Sequence, residues 1–173
     1  TIQSVWTANP DGTQETAFYA NNMVFPEAVL DARPVPDSHL IVGTFAKHNA
    51  PPRGSIALID PRLGKNNPSA AINLEHPENP TFDTGNSCEP WPLSEDYFLV
   101  AYSPQRLRFQ GEHMRDPNPD NALGVYLLDT AGNRELLYRD PDISTTNPMP
   151  LAPRHRPPIL PAAERVAGRD TGT

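Results

Sequence analysis

The sequence predicts an all-β chain and, within that class, a partial β-propeller: about three blades of antiparallel four-stranded sheets joined by long loops. Three observations lead there. The 173 residues hold 22 prolines against 10 glycines. Proline has no amide hydrogen and fixes φ at about −65°, so this composition cuts the chain into short strands and turns and leaves no room for long helices. Three segments alternate apolar and polar residues, reach a polar turn and alternate again, as a hairpin does. A Pro-x-Pro element recurs at positions 34, 90 and 148, at offsets of 56 and 58 residues, and a near-constant period denotes stacked units.

The first hairpin spans residues 4–19, with Val5-Trp6-Thr7-Ala8, the turn Asn9-Pro10-Asp11-Gly12 and a return to Tyr19. Proline presets φ in that turn and glycine permits φ above zero. The second spans residues 54–75: Ser55-Ile56-Ala57-Leu58-Ile59-Asp60, a turn at Pro61-Arg62-Leu63-Gly64, a polar loop, and Ala70-Ala71-Ile72-Asn73-Leu74. The third runs from Gly124 to Asp129, turns through Thr130-Ala131-Gly132-Asn133 and returns as Arg134-Glu135-Leu136-Leu137-Tyr138. Asn9, Asp60 and Asp129 open the three turns, and Asp11, Asp60 and Asp129 are placed for their carboxylates to accept neighbouring backbone amides.

Between the hairpins lies a second recurring unit. Pro34-Val35-Pro36 precedes the apolar run Leu40-Ile41-Val42-Gly43-Thr44-Phe45, and Pro90-Trp91-Pro92 precedes Tyr97-Phe98-Leu99-Val100-Ala101-Tyr102. Each reads as a turn leading into a buried strand, and Pro148-Met149-Pro150 begins a third copy. The polar stretch 103–121 reads as an insertion between strands. Residues 1–150 are thus expected to be propeller blades, a piece of a larger ring. Residues 151–173, Pro-rich and then small and polar, are expected to be an exit linker and a disordered tail.

Composition also excludes function classes. The formal net charge of −7 is spread along the chain, with no basic stripe to attract nucleic acid. No apolar run approaches the roughly 20 residues of a membrane-spanning helix. A single cysteine, Cys88, rules out an internal disulfide and a multi-cysteine zinc site, and no Cys-x-x-Cys-His is present for haem attachment. Neither a Gly-x-Ser-x-Gly elbow nor a phosphate-cradling loop occurs, so no catalytic residue is nominated.

Four stretches in a fixed order carry a resemblance: Trp6-Thr7-Ala8-Asn9-Pro10-Asp11-Gly12-Thr13; residues 54–64; Pro92-Leu93-Ser94-Glu95-Asp96-Tyr97-Phe98-Leu99-Val100; and Pro150-Leu151-Ala152-Pro153-Arg154. Their order resembles the middle domain of the hydrazine synthase alpha subunit family, a TolB-like propeller module of large bacterial proteins linked to c-type cytochromes. The resemblance implies an exported, periplasmic scaffold that presents loops to flanking domains or subunits. It also implies that haem c belongs to those flanking domains rather than to this segment. The hydrazine chemistry of the namesake is not transferred, because no residue here aligns with its haem or metal ligands.

For chemistry within the chain, the sequence offers His48 and Cys88 as metal ligands. His48 ends a strand where a loop crosses to the next hairpin, a position where propellers place binding groups. Cys88 stands just before Pro90-Trp91-Pro92 and would join it in a soft site, although two ligands alone do not hold zinc. His113, with Glu112 and Asp116, is a candidate for a hard cation. Trp6, Trp91, Tyr97, Phe98 and Tyr126 read as packing between blades. Two rival readings stand beside the scaffold. In one the segment supplies part of a haem or metal active site completed by other domains; in the other the strands form a small-ligand or glycan-binding β-sandwich.

Overall fold

The computed structural model describes residues 3–48, 52–77, 85–107, 118–153, 156 and 159. Among them the chain is all-β: ten strands and two single 3-10 turns, Pro61–Leu63 and Pro68–Ala70. Strands β1 (Val5–Thr7) and β2 (Thr16–Tyr19) pair as a hairpin. Strands β3 (Ala28–Pro34), β4 (Ile41–Ala46), β5 (Ser55–Ile59) and β6 (Ala71–Asn73) form a first four-stranded antiparallel sheet in chain order. Strands β7 (Ser87–Pro92), β8 (Tyr97–Tyr102), β9 (Gly124–Asp129) and β10 (Arg134–Tyr138) form a second sheet in the same order.

The two sheets repeat each other in register as well as in order. In the first, Ile41 lies opposite Ile59, Val42 opposite Leu58 and Thr44 opposite Ile56. In the second, Phe98 lies opposite Leu128, Leu99 opposite Leu127 and Ala101 opposite Val125. The first strands follow suit, with Arg33 and Pro34 opposite Val42 and Ile41, and Trp91 and Pro92 opposite Leu99 and Phe98. Pro34 therefore corresponds to Pro92.

This corrects the Pro-x-Pro period. The elements at 34 and 90 are not equivalent, and Pro90-Trp91-Pro92 lies inside β7 rather than in a turn before β8. Proline is tolerated there because β3 and β7 are edge strands and carry a bulge, between Leu30 and Arg33 and between Cys88 and Trp91. The true repeat in the first strands is marked by the bulge residue. Asp31 and Glu89, 58 residues apart, sit in these bulges with left-handed backbone, φ 53° and 55°; Asn147, a further 58 residues on and outside any strand, takes the same conformation at φ 51°.

The turns behave as their sequences require. Asn9 and Asp129 open turns with one hydrogen-bond pattern: each amide donates to the carbonyl four residues on, and Gly12 or Gly132, at φ 80° and 85°, donates back. At Asp60 two 3-10 turns intervene and the carboxylate accepts from the Arg62 amide and side chain.

Packing is layered. One face of the first sheet meets the hairpin through Ile41, Phe45 and Ile59 against Tyr19 and Val5. Its other face, through Val42, Ile56 and Leu74, meets Phe98, Val100 and Leu128 of the second. The first sheet is thus buried on both sides, with β7 packed against β3, β4 and β5. At the top of the seam the Gly54 and Ser87 backbones exchange hydrogen bonds of 2.9 and 3.0 Å. A Cβ on Gly54 would lie 1.9 Å from the Phe45 carbonyl oxygen, so this approach requires glycine.

Candidate functional site

The polar side chains that the fold concentrates lie along the seam between the two four-stranded sheets. At its buried end is Glu75, just beyond β6, whose side chain is 1% exposed. One carboxylate oxygen accepts from the Arg134 Nε and Nη2 at 3.1 and 2.8 Å and from the Ser87 hydroxyl in a short bond; the other accepts from the Ile56 amide at 3.2 Å. The Arg134 guanidinium also lies 4.6 Å above the Tyr102 ring, which meets Tyr126 edge to face at 5.1 Å. One carboxylate thereby joins β5, β7 and β10. Charge-assisted bonds compensate the burial of both ions.

Along the first strands, Arg33 of β3 lies 4.5 Å above the ring of Trp91 in β7. With Pro34, Pro36 and Pro92 these two line a shallow cleft of about 180 Å³. At the turns that follow, the Ser38 hydroxyl donates to Glu95 at 2.5 Å. The sheets are thus tied at the seam's polar points as well as by their apolar core.

His48 lies two residues past β4 and is exposed; its backbone amide donates to Glu27 at 2.9 Å. Cys88 is buried in β7, its thiol pushed up to about 12, chiefly by burial and then by the charges of Glu89 and Asp31. The thiol keeps its proton at neutral pH, and a metal held there would have to displace it. No cluster of three or more His, Cys, Asp or Glu groups arranged for a metal occurs among the described residues. His113, Glu112 and Asp116 lie outside them.

A second cavity, of about 260 Å³, opens beside the hairpin, lined by Tyr19, Met23, Phe25, Phe45 and Ile72 among others. The Tyr19 hydroxyl is spent on the Asn67 carbonyl at 3.2 Å. Burial pushes that phenol up to about 12. The walls offer apolar area and no pairing of nucleophile with base.

Sequence reading missed Glu75, Arg134 and the bulge series. Glu75 and Arg134 are single charges beside hairpin strands, separated by 59 residues, and nothing local couples them. The left-handed series Asp31, Glu89 and Asn147 did leave a trace, an acid, an acid and an amide 58 residues apart, hidden behind the more visible prolines. No family model, curated protein or solved structure matches the chain.

Proposed function

We propose that the chain forms blades of a β-propeller scaffold, resembling the middle domain of the hydrazine synthase alpha subunit, that presents its loops to partner domains or subunits of an exported bacterial redox protein. The observation that carries the propeller reading is the repeated register of two consecutive four-stranded meanders, stacked so that the first is buried on both faces. A two-sheet sandwich would leave the outer face of each sheet polar and connect strands as Greek keys. The scaffold reading draws on the same resemblance. Redox partners and export come from the resemblance alone.

The rival with a specific handle is a metal or haem site to which His48 or Cys88 contributes a ligand. The test is an experimental structure of the protein within its native assembly, with bound metals identified by X-ray fluorescence. Sheets radiating about a common axis, with partner contacts through the inter-strand loops, are the expected result. A metal or haem iron bonded to His48 or Cys88 would favour the active-site reading; two sheets closing face to face with nothing beyond them would remove the propeller.

A further inference from the structure

The stacking of Arg33 in β3 over the Trp91 ring of β7, at 4.5 Å, is the single polar or ring contact that the guanidinium makes among the described residues. Its Nε is buried without a hydrogen-bond acceptor, while Nη1 and Nη2 are neither bonded nor enclosed. The acids of these two strands do not serve it: Asp31 stands exposed in its bulge, and Glu89 accepts from Asn147. Other guanidiniums of the fold are spent, that of Arg62 on Asp60, that of Arg134 on Glu75 and that of Arg139 on the Asn121 and Ala122 carbonyls. Holding a guanidinium with one N–H buried and unmet costs free energy, and its outward donors remain available to a partner.

The surroundings select the partner. Pro34, Pro36 and Pro92 border the stacked pair in a shallow cleft of about 180 Å³, short of the roughly 300–1,000 Å³ in which proteins engulf a small molecule. Apart from the guanidinium its walls are proline rings and an indole, a ledge of the kind that holds an extended chain. A guanidinium laid flat on an aromatic ring presents a planar fork, and the planar acceptor that matches it is a carboxylate. Against the formal net charge of −7, a singly charged group is favoured over a phosphate, whose charge is about −1.5 to −2.

We propose that the Arg33–Trp91 cleft binds an extended segment of a partner protein through one Asp or Glu carboxylate. Nη1 and Nη2 of Arg33 donate to its two oxygens, and the proline rings and Trp91 pack against the residues that flank it. The inference rests on the scaffold reading for the existence of a partner and names that partner's chemistry; the cleft itself needs only β3 and β7 side by side. Stacking on Trp91 holds the guanidinium in one orientation before the partner arrives, which lowers the entropy lost on binding.

The test uses Trp91 as the reporter. The chain holds two tryptophans, so the full chain carrying Trp6→Phe emits from Trp91 alone. The probe is the peptide acetyl-Pro-Pro-Glu-Pro-Pro-amide, titrated beside the same peptide with Gln in place of Glu and beside sodium acetate. The expected result is a saturable change in Trp91 emission with the Glu peptide, weakened by added salt. Arg33→Gln, or Gln in the peptide, should each weaken binding at least about tenfold, the size of a charge-assisted pair. No saturation with the Glu peptide overturns the inference, as does equal binding of the Gln peptide, a comparison that decides even if Arg33→Gln fails to fold. Saturation by acetate at the same concentrations would mean a free small carboxylate and overturns the partner segment. An emission that shifts on Arg33→Gln without peptide reports ring and guanidinium in contact, so failure of the peptide then removes the inference and leaves the stacked sheets of the scaffold reading standing. No shift removes the contact between the sheets on which both depend.

Discussion

The Asn147 amide donates to the Glu89 carboxylate at 2.5 Å and the Asn147 side chain to its other oxygen at 3.1 Å. Both residues sit in left-handed backbone, 58 positions apart, and Asp31 occupies the same conformation 58 positions before Glu89. A non-glycine residue held there costs on the order of 1–3 kcal/mol. The bulge turns the edge strand and re-aims the side chain toward its neighbour, and the Asn147–Glu89 bonds offset part of that cost. The edge strand of the second sheet is thus tied to the segment at Asn147 through the strained residue itself.

Asp31 tests the strain separately from the clamp. Its side chain is exposed and short enough to tolerate left-handed backbone. Asp31→Asn and Asp31→Gly should change stability by under about 1 kcal/mol, whereas the β-branched Asp31→Val should cost about 1–2 kcal/mol. Urea melts of the three variants measure this. A harmless valine would mean that the left-handed conformation is not maintained in solution.

The hairpin strands, β4, β8 and the turns were legible in the sequence because their information is local, whereas the edge strands β3 and β7, broken by bulges and prolines, were not. Asn9-Pro10-Asp11-Gly12 and Asp129-Thr130-Ala131-Gly132 specify their turns by side-chain acceptance and permissive φ, and the short apolar run 97–102 marks a buried strand unaided. Aromatic packing was right for Phe98 and Tyr126, which join the inter-sheet core. It was not right for Trp6 and Tyr97, which stand 57% and 50% exposed, because period alone does not say whether a face has a neighbour. The position of Pro90 was misread because proline signals a turn or a bulge equally well, and only the pairing with Leu99 and Ala101 decides between them. The Glu75–Arg134 pair was illegible for a different reason: its partners meet only once two sheets have stacked.

That pair should behave as a buried ion pair whose halves cannot be removed singly. Arg134→Met keeps most of the packing on Tyr102 but leaves the Glu75 carboxylate, 1% exposed, with neutral donors alone. The expected loss is about 3–5 kcal/mol. Glu75→Gln in the same background should recover part of it, since the surviving Ser87 and Ile56 donors suit an amide oxygen as well. Melts of the single and double variants form the cycle, and additive losses would show that the two residues are not coupled.

Gly54 offers a test of the seam's backbone contact. An alanine there would drive its Cβ against the Phe45 carbonyl and part the strands that Gly54 joins to Ser87. Gly54→Ala should cost at least about 2 kcal/mol, in line with overpacking of a rigid site. By comparison, Gly12 has nothing within 4 Å of its added Cβ, and Gly12→Asn, which tolerates φ of 80°, should be nearly neutral. Equal effects at the two sites would indicate that the Gly54–Ser87 approach is loose.

Cys88 predicts an alkaline limit to stability. In the folded chain its thiol is pushed from 9.0 up to about 12, by burial first, then by Glu89 and Asp31, with Arg53 opposing and Glu75 adding to the rise. The unfolded chain therefore releases this proton first as pH rises. The contribution is fully present below about pH 9 and declines from there to about pH 12, with a limiting slope of about 1.4 kcal/mol per pH unit. The Tyr19 phenol, pushed from 10.0 up to about 12 by burial, adds a decline of the same sign above about pH 10. Urea midpoints taken at intervals from pH 8 to pH 10 isolate the thiol. Cys88→Ala should flatten the fall between about pH 9 and pH 10 and leave the later Tyr19 portion, which Tyr19→Phe should remove. A wild-type curve that stays level over that first interval, or an alanine variant that falls as steeply, would mean that Cys88 is far more solvated than its place in β7 requires.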